Sequence, residues 1–111
     1  MTQYASVEDL TADEISDNTE DVTLPNGRVV KVRGLSRYEH MLIAKNTEDG
    51  NVIERRMLRY GMVEPKMTED QAEAWQRNGR TDVVKFATEA IRNLSGFGDG
   101  ADKSGVDQVR D

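Results

Sequence analysis

The sequence contains no cysteine, one histidine and only six aromatic residues among 111. The missing thiols exclude disulfides, cysteine nucleophiles and zinc sites built on cysteine. A single histidine without clustered carboxylates does not form a zinc site of the ordinary type. No apolar run approaches the roughly 18 residues of a membrane span. The N-terminal segment MTQYASVEDL also lacks the basic and apolar regions of a secretory signal. We therefore expect a cytoplasmic protein with no cofactor, no metal and no membrane contact.

Basic residues are fewer than acidic ones, 15 against 21, and both are unevenly distributed along the chain. The net charge is −6, yet residues 1–21 carry seven acids and no base, whereas residues 22–96 carry 13 bases and 10 acids. Nucleic acid is not expected as the main partner, because phosphate binding needs a concentrated positive surface. The pattern predicts an acidic, disordered arm over 1–20, a folded domain over 21–96 and a flexible, glycine-rich tail over 97–111. A short helix around 7–15 that docks on a partner is the alternative for the arm.

Residues 21–33, DVTLPNGRVVKVR, predict a β-hairpin. Val22 and Leu24 alternate with polar residues on one side, Val30 and Val32 alternate on the other, and Asn26-Gly27 is a strong signal for a two-residue turn. Two strands alone are barely stable. The hairpin is therefore expected to cover a helical core, and an edge that receives a partner's strand is the functional alternative.

Four helices are expected after the hairpin. The capping boxes Ser36–Glu39 and Thr68–Gln71 predict helix starts at about 37 and 69, with ends at about 46 and 77. Apolar periodicity predicts helices over about 51–61 and from Thr81, as the N-terminal cap, to about 94. Residues 62–65 should be extended, because proline at 65 disfavours helix before it. The predicted fold is mainly α: about four helices with an N-terminal hairpin and flexible acidic ends.

The helical period also predicts which side chains face the core. In the first helix these are Tyr38, Met41 and Leu42, and in the second Ile53, Met57, Leu58 and Tyr60. In the third they are Ala72 and Trp75, and in the last Val83, Val84, Ala87, Ala90, Ile91 and Leu94, with Phe86 broadening the face.

No residue set supports catalysis, so the candidate site is a surface for a partner. Arg55, Arg56 and Arg59 lie within five residues on the second helix, with Met57 and Tyr60 beside them. These five residues are the predicted partner-binding set. The plain interpretation of the arginines is a solvated flank. The sharper one is a docking surface for an acidic segment, either a partner's or this chain's own arm.

Methionines are concentrated in the same region, because Met41, Met57, Met62 and Met67 fall within 27 residues. Methionine fills irregular cores, and it also recurs at binding surfaces that accept varied partners. Core filling is the plainer interpretation. His40 is expected at the core margin rather than in a catalytic role.

The segment from Val30 to Gly98 resembles the tail assembly chaperones of long-tailed bacteriophages. The features that carry the resemblance are a short acidic lead, a hairpin, the segment MVEPKMTEDQAEAW and a terminal helix that closes in NLSGFG. The resemblance covers roughly 70 residues, and its motifs are structural signals rather than chemical ones.

This resemblance implies a non-enzymatic role. Members of the family bind the tape measure protein and keep it soluble during tail assembly in the host cytoplasm, and they are generally absent from the mature virion. Many of their genes also yield a frameshifted longer product, whose extra domain is thought to recruit tail tube protein. A homo-oligomer is also among the expected partners. The alternatives are a minor structural virion protein, such as a head–tail connector or tail completion component, and a small regulator that contacts nucleic acid through the three arginines.

Overall fold

The computed structural model describes residues 2–97, and in that range it contains five helices and a three-stranded antiparallel sheet. The elements in chain order are α1 (Val7–Thr11), β1 (Thr19–Thr23), β2 (Val29–Arg33), α2 (Arg37–Ile43), α3 (Gly50–Gly61), β3 (Met62–Glu64), α4 (Glu69–Asn78) and α5 (Thr81–Leu94). Half of the described residues are helical and 14% are in strands. The prediction of a mainly α fold is therefore wrong, and the protein has a mixed α/β fold.

The strand β3 is the element that changes the class. It pairs with β2 through Lys31–Glu64 and Val32–Met62, with a register irregularity between the two pairs, and so places β2 at the centre of the sheet. Three residues are too few to show an alternating pattern, and the following proline marks a linker as readily as a strand. The segment was therefore predicted as extended but not as paired.

The predicted hairpin is present, but its turn differs from the prediction. The carbonyl of Leu24 accepts from the N–H of Gly27 at 2.8 Å, so Pro25 and Asn26 are the central turn residues. Gly27 follows them with φ of 88°, and Leu24 then donates to Arg28. Proline at 25 presets the backbone for the first central position of a type I turn, and glycine supplies the left-handed residue after it.

Helix α2 is shorter than predicted and buries a different face. Ser36 and Glu39 form the expected capping box, but the helix ends at Ile43. Tyr38 and Met41 are 70% and 56% exposed, whereas Ile43 is buried. A helix of two turns contacts the core over little more than its last turn, so the predicted inward face of Tyr38 and Met41 is wrong.

The last three helices follow the predicted periods closely. The buried side chains of α3 include Met57 and Leu58, and Thr68 forms its capping box with Gln71 at the start of α4. In α5 the predicted core residues are buried or packed against the core, except that Phe86 is 44% exposed. The N-terminal cap of α5 is Arg80, without a side-chain cap bond, and not Thr81. The arginine instead forms an ion pair with Asp82 in the first turn.

The core lies between one face of the sheet and the helices α3 and α5. Val22, Val30 and Val32 point from the strands toward buried side chains of α5 such as Ile91. Gly61, at the end of α3, lies so close to Ile91 that an added Cβ would be 2.5 Å from its Cδ1. This close approach allows β3 to begin directly after the helix.

The start of β1, the end of β2 and the end of α5 meet at one junction. The side-chain amide of Asn18 donates to the carbonyl of Leu94 at 2.7 Å, and the N–H of Leu35 donates to Oγ of Ser95 at 2.7 Å. The N–H of Gly34 donates to the carbonyl of Asn18, and a Cβ at Gly34 would lie 2.6 Å from the carbonyl oxygen of Leu94. Position 34 therefore requires glycine because any larger residue would collide with Leu94, and not because the backbone adopts a conformation that only glycine favours.

The arm contains the short helix α1, which begins with a capping box between Ser6 and Asp9. Every residue from 2 to 14 is exposed, including the apolar side chains of Tyr4, Val7 and Leu10. Strand β1 begins at Thr19, inside the range predicted for the arm. The predicted tail lies outside the described residues, apart from Phe97.

Candidate partner-binding groove

The metal-binding side chains of the described residues are dispersed. Within 2–97 no cluster of three or more histidine, aspartate or glutamate side chains has a geometry that would hold a metal ion. The His40 ring stacks on the Phe97 ring with centroids 4.5 Å apart. None of the helices in this range is long and apolar enough to cross a bilayer.

Two of the three predicted arginines are held by hydrogen bonds to other elements of the chain. Arg55 lies between α3 and α4, where its Nε donates to Gln76 at 3.2 Å and its guanidinium is 3.3 Å from a carboxylate oxygen of Glu73. Arg56 donates to the carbonyls of Lys45 at 2.7 Å and Ile43 at 3.3 Å. It therefore satisfies carbonyls at the end of α2 that the helix itself leaves unpaired.

Arg59 and Tyr60 lie at a surface groove, whereas Met57 does not. The side chain of Arg59 is 52% exposed, lies over the Tyr60 ring at 5.4 Å and approaches Glu69 at 4.0 Å. Met57 is 6% exposed and belongs to the core. The structure thus brings Arg59 and Tyr60 to this groove, and Arg56 joins them in the lining of a smaller open cavity of about 350 Å³. Arg55 and Met57 are used within the fold.

We call this surface the methionine groove. It is an open cavity of about 960 Å³ between the end of α3, strand β3 and the start of α4. Its apolar part consists of Tyr60, Met62, Val63 and Met67, and its charged rim includes Arg33, Arg59, Lys66, Glu69 and Asp70. Its volume is in the range of sites that accept a small apolar ligand or one or two apolar side chains.

The rim of the methionine groove is fixed on one side by an ion pair. The guanidinium of Arg33 donates two hydrogen bonds, of 2.8 and 2.5 Å, to the carboxylate of Glu39, and its Nη1 also donates to the carbonyl of Gly34. The bidentate contact lowers the pKa of Glu39 below its ordinary value, with hydrogen bonds from Ser36 adding to the effect. The start of α2 is thereby held against the end of β2.

The arm reaches the same groove. Ser16 and Thr19 contribute to its lining, so the acidic segment enters the folded domain at its rim. The apolar face of α1 lies farther along the arm and is exposed to solvent. Residues 16 and 19 thus line the same groove as Arg59, the one arginine of the three that is exposed.

Sequence reasoning missed the floor of the methionine groove. Core filling, the plainer prediction for the methionines, is confirmed for Met62, which is 2% exposed, and Met67 packs against the core. Their second position, on the lining of the groove, is not predicted by the sequence. Val63 carried no signal, because its place on the groove follows from the pairing of β3. Comparison with protein-family models, with curated proteins and with solved structures finds nothing that matches this chain.

Proposed function

We propose that the protein is a non-enzymatic phage tail assembly chaperone, and that its methionine groove holds apolar side chains of the tape measure protein. The observation that carries the proposal is the groove itself, a half-apolar cavity with a charged rim. The resemblance of residues 30–98 to tail assembly chaperones supplies the identity of the client.

The chemistry of the groove suits such a client. Methionine side chains have several rotatable bonds and a polarizable sulfur, so the partly buried Met67 can adapt to aliphatic side chains of different shapes. The rim offers charges of both signs, which keeps the free groove hydrated and discourages permanent self-association. A long client with many apolar segments is held by repeated, weak contacts rather than by one tight site.

Co-expression of this chain with a tape measure protein tests the proposal. The unmodified chain should raise the soluble fraction of the client, and Met67→Lys should remove most of that effect, because it places a charge on the apolar floor. Met41→Lys is the matched control, since Met41 is exposed on α2 and does not line the groove. Each variant's thermal unfolding is recorded, so that loss of the fold is distinguished from loss of binding.

If Met67→Lys keeps the client as soluble as the unmodified chain does, the role of the groove is refuted. If the client is equally insoluble with and without the unmodified chain, the chaperone function itself is refuted. The alternative, a minor structural virion protein, is separated by mass spectrometry of purified virions, from which a chaperone should be absent. The same proposal includes recruitment of tail tube protein by a frameshifted longer product, and it includes the formation of homo-oligomers. Pull-down with tail tube protein and light scattering test these two points.

A further inference from the structure

A second surface lies along the outer edge of β1, and it meets the methionine groove only at Thr19, the first residue of the strand. Only even-numbered residues of β1 pair through hydrogen bonds with β2, as the flanking bonds Leu24–Arg28 and Gly34–Asn18 show. The N–H groups of Thr19, Asp21 and Thr23 therefore point away from the sheet, and they have no hydrogen-bond partner within residues 2–97. This edge is open to another strand.

The open edge forms one wall of an acidic groove. Helix α5 supplies the other wall with Phe86, Glu89, Ala90 and Asn93, and the enclosed volume is about 300 Å³. Glu20, Asp21 and Glu89 line it, and no lysine or arginine does. The side chain of Asp21 leaves the strand on the face opposite to Val22, where its cross-strand neighbour is Lys31. Glu89 forms an ion pair with Lys85 at 3.8 Å, and both of these side chains are more than half exposed. The groove is thus negative in character.

The direction of α5 along β1 locates the apolar part of the acidic groove. Asn18 contacts Leu94, so the end of α5 lies beside the start of β1. Phe86 precedes Leu94 by about 12 Å of helix, which matches about four residues of strand. Phe86 therefore lies at about the level of Val22 along the strand, and both residues line the groove. Glu20 and Asp21 lie nearer the start of the strand.

A second copy of the chain does not fit this edge. Antiparallel pairing of two β1 strands about their midpoint would set Asp21 directly opposite its own equivalent, and like charges in that arrangement are destabilising. The seven acids of residues 1–21 add to the repulsion. The acids would instead attract a basic segment.

We propose that the β1 edge accepts an extended, basic segment of a partner protein as a fourth strand. In the antiparallel orientation, the partner places an apolar residue opposite Val22, where it contacts Phe86, and two basic residues opposite Asp21 and Glu20. The free N–H and carbonyl groups at 19, 21 and 23 supply the main-chain hydrogen bonds of strand addition. This proposal does not depend on the identity of the client in the methionine groove.

A synthetic peptide tests the proposal on the full chain. The probe is a blocked peptide of about seven residues, the length of an ordinary strand, in which one leucine precedes two lysines and the other positions are threonine. The control peptide has glutamate in place of lysine. Binding is measured by calorimetry at low salt, and the lysine peptide should bind while the glutamate peptide should not. No binding of either peptide, or equal binding of both, would overturn the proposal.

Two substitutions of Asp21 distinguish the contribution of its charge to peptide binding from that of its backbone N–H. Asp21→Asn removes the carboxylate and keeps the N–H, whereas Asp21→Pro removes both, without breaking a bond of the β1–β2 ladder. Asn should weaken the lysine peptide a few-fold, and Pro should weaken it about tenfold more, since a main-chain hydrogen bond is lost. Equal affinities of the two variants would show general charge attraction and overturn strand addition.

A further measurement does not depend on the proline variant folding. In the unmodified chain, amide hydrogen exchange at Asp21 and Thr23 should slow when the lysine peptide is added, and Phe86→Ala should reduce both the slowing and the affinity. Phe86 is 44% exposed, so its truncation leaves the core intact. Unchanged exchange at both amides with bound peptide would place the peptide elsewhere and overturn the proposal.

Discussion

Replacing Gly34 by alanine should weaken the domain strongly, although only one methyl group is added. The new Cβ would lie 2.5 Å from Nδ2 of Asn18, 2.6 Å from the carbonyl oxygen of Leu94 and 2.8 Å from its carbonyl carbon. Two of these three atoms belong to the backbone of α5, which cannot rotate away as a flexible side chain would. The strand end and the helix end must therefore separate.

The cost is worked from the contacts that separation breaks. Overpacking of this kind costs about 1–3 kcal/mol. Moving α5 away also weakens the bonds Asn18–Leu94 and Leu35–Ser95, each of which contributes about 1 kcal/mol. We expect a loss of about 2–4 kcal/mol, which corresponds to a melting temperature lower by roughly 10–25 °C in a domain of this size.

Thermal unfolding by circular dichroism, with urea unfolding for the free energy, measures the effect. Gly50→Ala is the matched control, because Gly50 begins α3 and an added Cβ there meets nothing within 4 Å. It should change the free energy of unfolding by less than about 0.5 kcal/mol or raise it. If Gly34→Ala unfolds at the same temperature as Gly50→Ala, the close packing of the junction is refuted.

Three further predictions concern the rest of the molecule. Because Arg33 lowers the pKa of Glu39, the stabilisation from this carboxylate is present above its ordinary pKa of 4.5 and should be lost as the pH falls below it. Glu39→Gln should therefore cost about 1 kcal/mol of unfolding free energy at neutral pH, and in urea unfolding its stability should depend less on pH on the acid side. An unchanged pH dependence of the variant's stability would contradict this. Deletion of residues 2–14, all exposed, should change the free energy of unfolding by less than about 0.5 kcal/mol, and a larger loss would show that the arm packs on the domain. The same deletion should raise client affinity at low salt if the arm competes for Arg59, and unchanged affinity in a pull-down titration would count against that competition.

Local signals in the sequence located most of the elements. The capping boxes Ser36–Glu39 and Thr68–Gln71 and the apolar period of α5 act within a few residues of the chain, so they could be found without knowing the fold. The hairpin was also found, because its strands are long enough to alternate. The detail of its turn was missed because Asn26-Gly27 fits two turn types, and Pro25 favours the one that forms.

Features set by contacts between distant residues were not predictable in the same way. The pairing of β3 depends on where α3 ends, and the exposure of Tyr38 depends on how little of α2 meets the core. Arg55 and Arg56 looked like surface charges because their acceptors lie on other elements. The methionine groove exists only where three such elements meet, so the sequence indicated two of its residues, Arg59 and Tyr60, but not its shape.

The junction has a consequence for how the chain folds as it is synthesised. Its bonds join positions 76 and 60 residues apart, so they form only after nearly all of the described chain has left the ribosome. The hairpin is local and forms early, but its apolar face has no cover until α5 follows. Contacts of such long separation slow folding and leave apolar surface open to other chains in the meantime. A nascent chain that ends before Leu94 would therefore expose the apolar face of the sheet to solvent. The domain reaches its native state only after α5 has packed on that face.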